Sequence, residues 1–177
     1  MKVRAIWSGR KASFPYPVSP EPRTAVLLHG FRPSGNIRVF PQGWCKEAAV
    51  FQPAAIAGSK EQLTALLDSP PSSVTHALIR LLRPSENLTT EAERAQFWRV
   101  FGVPLFEQIV DRAGRVIAWE CEAHDGLHVD PHVFALDEIE LEGYTLDVSP
   151  CGCGRKTPRL RVAAQRELEQ AAAAGTL

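Results

Sequence analysis

The chain has 177 residues, and its hydrophobic fraction of 45% and charged fraction of 23% are those of an ordinary soluble globular domain, which excludes a disordered or fibrous class. With 20 basic and 20 acidic residues the formal charge is zero, so no long-range field draws the chain to nucleic acid or to an anionic membrane. The longest apolar run, around Ala25 to Leu28, is far short of the roughly 18 residues of a membrane span, and no signal-peptide apolar region opens the chain, so the expected location is the cytoplasm. A single domain over residues 1–177 with one main core is expected at this length.

In chain order, residues 2–8 alternate apolar and polar groups at Val3, Ala5 and Trp7, the pattern of a half-buried strand. The stretch Phe14 to Pro22 holds Pro15, Pro17, Pro20 and Pro22, which remove backbone donors and predict an extended loop. Residues 24–30 and 36–40 are strand candidates, separated by a turn over Arg32 to Gly35. Leu63, Leu66 and Leu67 then recur at helical spacing, as do Val74, Leu78, Leu81 and Leu82 beyond Pro70-Pro71, so two helices are predicted there. Thr90 and Glu93 form a capping box ahead of a third helix carrying Phe97, Trp98 and Phe101, and Gly102 with Pro104 stops it.

Residues 103–110 and 115–121 are apolar and β-branched around Asp111-Arg112-Ala113-Gly114, which predicts a hairpin whose second strand ends at Cys121. A polar loop follows. Phe134 to Val148 is expected to form a strand pair bent at Gly143, and Arg161 to Ala174 a polar, Ala-rich helix.

The chemistry gathers in two short segments. Cys121, His124 and His128 offer a thiolate and two imidazoles, and Cys151-Gly152-Cys153-Gly154 offers two thiolates on a backbone that glycine lets bend sharply. In a reducing compartment such a cluster is a metal site before it is a set of disulfides. Zinc takes Cys and His in a closed tetrahedron when its role is structural, and with four protein ligands it keeps no position for an activated water.

The runs AWECEAHDGLHV and CGCGRKTPRL carry a family likeness. They resemble the phenylacetate-CoA ligase family of adenylate-forming enzymes, whose members have Glu-Cys-Glu…Asp-Gly-Leu-His and later Cys-Pro-Cys-Gly-Arg…Pro-Arg. The resemblance implies a zinc held by Cys121, His128, Cys151 and Cys153, with His124 as the alternative imidazole. It covers residues 102–161, where Phe106-Glu107 stands at the strand leading into the family's aromatic-Gly-x-x-Glu motif, here without its glycine. No Thr-Ser-Gly-x-Thr-Gly phosphate loop occurs; Pro33-Ser34-Gly35-Asn36 is the nearest stretch. Residues 129–150 contain no Arg-Thr-Gly-Asp, and a lid domain with a catalytic lysine is missing, so a shortened relative is expected.

Other residues carry less. Leu27 to Phe31 is similar to the His-Gly segment of an α/β-hydrolase oxyanion hole, yet no Gly-x-Ser-x-Gly elbow supplies a nucleophile. Glu120, Glu122 and Asp125 are either acceptors for an imidazole N–H or solvated carboxylates. Arg155, Lys156, Arg159 and Arg161 could meet phosphate but are expected to form a solvated basic face, His29 is expected as a strand-end histidine hydrogen-bonded to backbone, and Cys45 and His76 are expected to be structural. The expected fold is α/β, a mixed sheet flanked by helices with a zinc-stapled C-terminal β subdomain. Residues 102–161 form its ligase-like zinc-binding part and residues 162–177 a C-terminal helix. The leading function is a non-catalytic zinc module that binds a protein partner or a small acyl or nucleotide ligand, with no catalytic or cofactor-binding residue assigned. The alternative is an acyl- or aryl-CoA ligase, or a subunit of one.

Overall fold

A computed structural model of the chain describes residues 12–13, 21–111, 114–130 and 144–162. Its strands are β1 (Ala12–Ser13), β2 (Thr24–Val26), β3 (Phe31–Arg32), β4 (Ile37–Val39), β5 (Ala55–Gly58), β6 (Ala77–Leu82), β7 (Leu105–Val110), β8 (Val116–Glu120), β9 (Leu127–Val129), β10 (Tyr144–Asp147) and β11 (Arg159–Val162). Its helices are α1 (Lys46–Phe51), α2 (Lys60–Thr64) and α3 (Glu91–Phe101). Nine strands make one mixed sheet in the order β10-β11-β9-β8-β7-β6-β5-β2-β4, and β1 pairs with β3 in parallel apart from it.

Strand β7 divides that sheet. It runs parallel to β6, as do β5, β2 and β4 beyond, and antiparallel to β8, after which every pairing through β9, β11 and β10 is antiparallel. In the parallel half successive side chains enter opposite layers, as the pleat requires. Ala25, Ile56, Leu78 and Leu105 pack with Phe51, Leu63 and Phe97 of the three helices. Val26, Ala57, Ile79 and Phe106 pack with Phe31 on the other side. The antiparallel half has its own cluster, centred on Ile109, Ile117, Ala118, Leu127, Val129 and Leu160.

Helix α3 starts and ends where its capping signals place it. The Thr90 hydroxyl accepts from the Glu93 N–H, the Glu93 carboxylate accepts from the Thr90 N–H, and Gly102 closes the helix in the left-handed region at φ 65°. The helix expected over residues 74–82 is instead β6. Its run Ala77-Leu-Ile-Arg-Leu-Leu is buried at all six positions, and a strand covered on both faces has no polar alternation to distinguish it from a helix segment. The sequence signals also missed α1, β5, β9 and β11. Arg161 and Val162, where a helix was expected to begin, lie in β11. The strand expected over 2–8, most of the Pro-rich loop, Arg112 and Ala113 of the hairpin turn, residues 134–143 of the strand pair and the helix beyond residue 162 lie outside the described residues. Among the described residues no helix is long and apolar enough to cross a membrane.

Charged side chains cross the seam between the halves. Arg80 of β6 is the register partner of Glu107 of β7 and donates to its Oε1 at 3.3 Å, and the Thr89 N–H and hydroxyl donate to the same oxygen at 2.7 and 2.8 Å. Arg94 of α3 donates to Glu107 Oε2 at 2.8 Å and to both oxygens of Glu120 on β8 at 3.1 and 3.2 Å. The network ties three adjacent strands to the helix above them. Burial pushes the Glu107 carboxyl above the usual carboxylate range, against the pull of Arg94 and the Thr89 donors.

Candidate metal centre

Three elements deliver the cysteines and the histidine. Strand β8 ends at Glu120 and passes directly to Cys121, whose carbonyl accepts from the His124 N–H at 3.0 Å in a tight turn. His128 is the middle residue of β9, held in register between Trp119 of β8 and Arg159 of β11. Cys151 and Cys153 sit on the loop that enters β11, where the Gly154 N–H donates to the Cys151 carbonyl at 2.9 Å. Of the two glycines expected to let this backbone bend, Gly154 takes the left-handed conformation, at φ 82°.

One ligand atom from each of Cys121, His128, Cys151 and Cys153 lies within 4.8 Å of all the others, and three of the four residues are buried. The sulfurs of Cys121 and Cys151 are 3.7 Å apart, and Cys153 Sγ is 3.3 Å from His128 Nε2. A tetrahedral zinc with ordinary bond lengths has sulfur–sulfur edges of about 3.8 Å and sulfur–nitrogen edges of about 3.5 Å. The donor set and its spacing therefore fit zinc. All three cysteines of the group are free thiols, as is Cys45.

The thiols of the group differ in how readily they ionise. Burial pushes the Cys121 thiol up to about 12. Burial also works against ionising Cys153, but hydrogen bonds from the Arg155 backbone, from Cys151 and from the Arg155 side chain outweigh it and bring that thiol to about 7. Burial holds the His128 imidazole below its usual range, which keeps it neutral and able to ligate.

Thr157 faces the second ring nitrogen. His128 Nδ1 lies 2.7 Å from the Thr157 hydroxyl oxygen and 3.3 Å from its carbonyl, either of which can accept a proton carried on Nδ1, the tautomer that leaves the lone pair on Nε2 facing Cys153. The carboxylates of Glu120, Glu122 and Asp125, expected as acceptors for this imidazole or as solvated groups, have other work. Glu120 is buried under Arg94, Glu122 pairs with Arg155 at 2.9 Å, and Asp125 pairs with Arg159 and Arg161. Thr157 was missed because nothing local distinguishes a threonine before proline from any loop hydroxyl. The signal was available in the rule that a ligating imidazole needs a partner for its second nitrogen.

The solvated basic face expected at residues 155–161 is also corrected. Arg159 is 1% exposed and reaches Asp125, Asp147 at 2.9 Å and the Ser149 hydroxyl at 3.0 Å, while Arg161 joins the same two aspartates. This four-charge cluster binds the Cys121–His128 loop and the segment preceding Cys151 to β11. Close approach there leaves no room for a side chain on Gly126, where a Cβ would stand 2.7 Å from the Leu160 carbonyl oxygen.

His124, the alternative imidazole, stands apart from the group. Its ring stacks on Phe106 at 4.9 Å between centroids, and its Nδ1 meets Glu120 Oε1 at 2.9 Å. Cys45 precedes α1 without capping it through its side chain, and His29 is exposed in the turn after β2. Neither lies with the metal-ligand group.

No family model matches the chain, and no curated protein matches it. Among solved structures, it resembles an open conformation of 2-hydroxyisobutyryl-CoA ligase in complex with 2-HIB-AMP and CoA, with a TM-score of 0.54 and 14% identity over 81% of this chain and 44% of that one. The same ligase in its thioesterification state aligns with a TM-score of 0.49 and 13% identity over 71% and 36% of the two chains. The likeness is one of fold. It is a likeness to part of that CoA ligase, and the chain spans less than half the length of that relative.

Proposed function

We propose that this chain is a zinc-stabilised module, non-catalytic by itself, which binds a protein partner or a small acyl or nucleotide ligand on a fold related to part of an adenylate-forming ligase. The observation that carries the zinc reading is the meeting of Cys121, His128, Cys151 and Cys153 within 4.8 Å, with the second nitrogen of His128 already held by Thr157. Four protein ligands complete a tetrahedron, so the metal's work is structural and its binding energy is folding energy. Cysteines that ligate a metal as thiolates suit a reducing compartment, and a cytoplasmic location is part of this proposal. The resemblance of residues 102–161 to the phenylacetate-CoA ligase family supports the same ligand set.

Metal analysis of protein purified without chelator tests the reading. About one zinc per chain is expected, and the cobalt-substituted protein should show the intense visible bands of tetrahedral thiolate coordination. Less than about a tenth of an equivalent, or an octahedral cobalt spectrum, overturns it.

The fold likeness to a CoA ligase favours one second reading, that of an acyl- or aryl-CoA ligase or a subunit of one. Against it, the chain has no Ser/Thr/Gly-rich phosphate loop, and Glu107 is buried with both carboxylate oxygens occupied by Thr89, Arg80 and Arg94. ATP–pyrophosphate exchange by the pure chain with a panel of acyl and aryl acids, lost in Glu107→Gln, establishes the enzyme reading in place of the first.

A further inference from the structure

The three cysteines of the metal-ligand group are not equally placed. Cys121 and Cys151 are buried, whereas Cys153 is only half-buried. It stands on the loop that enters β11 with a glycine on each side, and the packing around that loop is open. A Cβ added at Gly154 would meet nothing within 4 Å beyond its chain neighbours, and one added at Gly152 would meet only the Ala123 Cβ, at 3.8 Å. Both the backbone and the guanidinium of Arg155 hydrogen-bond the Cys153 sulfur.

A partly exposed sulfur beside a cation, on backbone with room to move and with other thiols close by, is the setting of a reversibly oxidised cysteine. The geometry also distinguishes the second sulfur. A bridge from Cys153 to Cys151 would have to reach disulfide geometry in a ring holding one intervening residue. Cys121 comes instead from the end of β8, which is held in the sheet by β7 and β9, and its sulfur lies within 4.8 Å of that of Cys153. Closing this gap to the roughly 2 Å of a disulfide asks for movement of the glycine-flanked loop alone. Cys121 and Cys151 are closer to each other, at 3.7 Å, but both are buried, so an oxidant from solvent meets Cys153 first.

We propose that Cys153 is a site of reversible oxidation by hydrogen peroxide and that it forms a disulfide with Cys121. The Cys153 thiolate attacks one peroxide oxygen; the sulfur–oxygen bond forms as the oxygen–oxygen bond breaks, and hydroxide leaves to be protonated to water. The Cys121 thiolate then attacks the sulfenic sulfur. The sulfur–sulfur bond forms as the sulfur–oxygen bond breaks, and a second hydroxide leaves to become water. The two sulfurs lose two electrons, and one peroxide is reduced to two waters. Only Cys151 and His128 then remain as metal donors, too few for the closed tetrahedron. Loss of metal on oxidation rests on the zinc reading above, whereas the disulfide itself does not.

The test is to treat the full chain, purified reduced and then freed of reductant, with hydrogen peroxide, following zinc release with a chromophoric chelator and mapping disulfides by peptide mass spectrometry. Expected are an early Cys121–Cys153 bridge with a mass loss of about 2 Da, zinc release in step with it, and recovery of thiols and metal on adding a phosphine reductant and zinc. Cys45 is half-buried as well but lies outside the group, so it should stay reduced, and Cys45→Ser should behave as the parent. Cys153→His keeps a fourth donor without a sulfur and should release zinc at least about tenfold more slowly. Zinc content before peroxide tests the metal reading and the disulfide map tests this one, so each can fail alone. Oxidation confined to Cys45, sulfinic acid at Cys153 without a bridge, a Cys121–Cys151 bridge formed ahead of any at Cys153, or an unchanged release rate in Cys153→His overturns the proposal. If Cys153→His does not load metal, the disulfide map of the parent chain decides.

Discussion

On the β4 to β7 side of the sheet, Ala25, Val26, Ile56, Ala57, Leu78 and Ile79 are wholly buried between two apolar layers; on the β8 to β10 side, all four residues of β10 are only half-buried, and Cys121, His128, Cys151, Glu120 and Arg159 stand among the buried residues. The first half is stabilised by apolar area, at roughly 25 cal/mol per Å² removed from water. The second keeps an apolar cluster around Ile109, Ile117, Leu127 and Leu160 and adds polar and charged side chains among its buried residues. It is also held by the Arg159–Asp125–Asp147–Arg161 cluster, and it carries the Cys/His group that could hold a metal. A sheet can therefore change its means of cohesion at a single strand, provided that strand is pinned to both sides, as β7 is through Glu107.

The sharpest way to break this comparison is to remove a ligand. Cys121→Ser should abolish metal binding and strip hydrogen-exchange protection from β8, β9 and β11, a loss drawn from an apparent zinc binding energy on the order of 10 kcal/mol. The amides of β5 and β6 should keep most of theirs. Equal loss in both halves would show one cooperative unit. Leu78→Ala should cost about 2–5 kcal/mol in denaturant unfolding, the range for a fully buried leucine, with metal content unchanged in the folded fraction.

A smaller effect is expected from Thr157→Val, which removes the hydroxyl facing His128 Nδ1 and should weaken zinc by about 10- to 100-fold without loss of fold. Metal competition with a calibrated chelator measures it. The smallest is a pH effect. Because burial lowers the His128 pKa in the folded chain, an unfolded chain takes up this proton first as pH falls below about 6.5, its unperturbed value. That contribution to stability is present above pH about 6.5 and is lost on acidification, in the direction that thiolate protonation also drives. Thermal melts of the zinc-loaded protein from pH 8 to 5 should shift downward across that window, and Leu78→Ala should keep the same slope.

The sequence carried α3 almost whole, because a capping box and a terminal glycine are local chemistry: Thr90, Glu93 and Gly102 act within a few residues of each other. The β7–β8 hairpin was legible for the same reason, with the Gly114 N–H donating to the Asp111 carbonyl at 3.0 Å. Strand β6 was not, since its six buried residues owe their conformation to β5 and β7 on either side. Of the candidate ligands, the four residues were legible as a set through their types and the family likeness. The choice between His124 and His128 rested on that likeness, and the structure brings His128 to the cysteines through its pairing with β11. Arg159 misled because its partners Asp125 and Asp147 lie 34 and 12 residues away.

The sequential order of β6, β7, β8 and β9 across the sheet bears on how the chain reaches this state. The β7–β8 and β8–β9 pairings close short loops, from Val110 to Val116 and from Glu120 to Leu127, and form early at little cost in loop closure. Joining Cys151 to Cys121 closes a separation of 30 residues and requires β11 to dock on β9. An interaction made that late is weakly developed in the transition state, so removing it changes the unfolding rate far more than the refolding rate. The metal would then act as a latch, setting how long the folded chain persists rather than how quickly it forms.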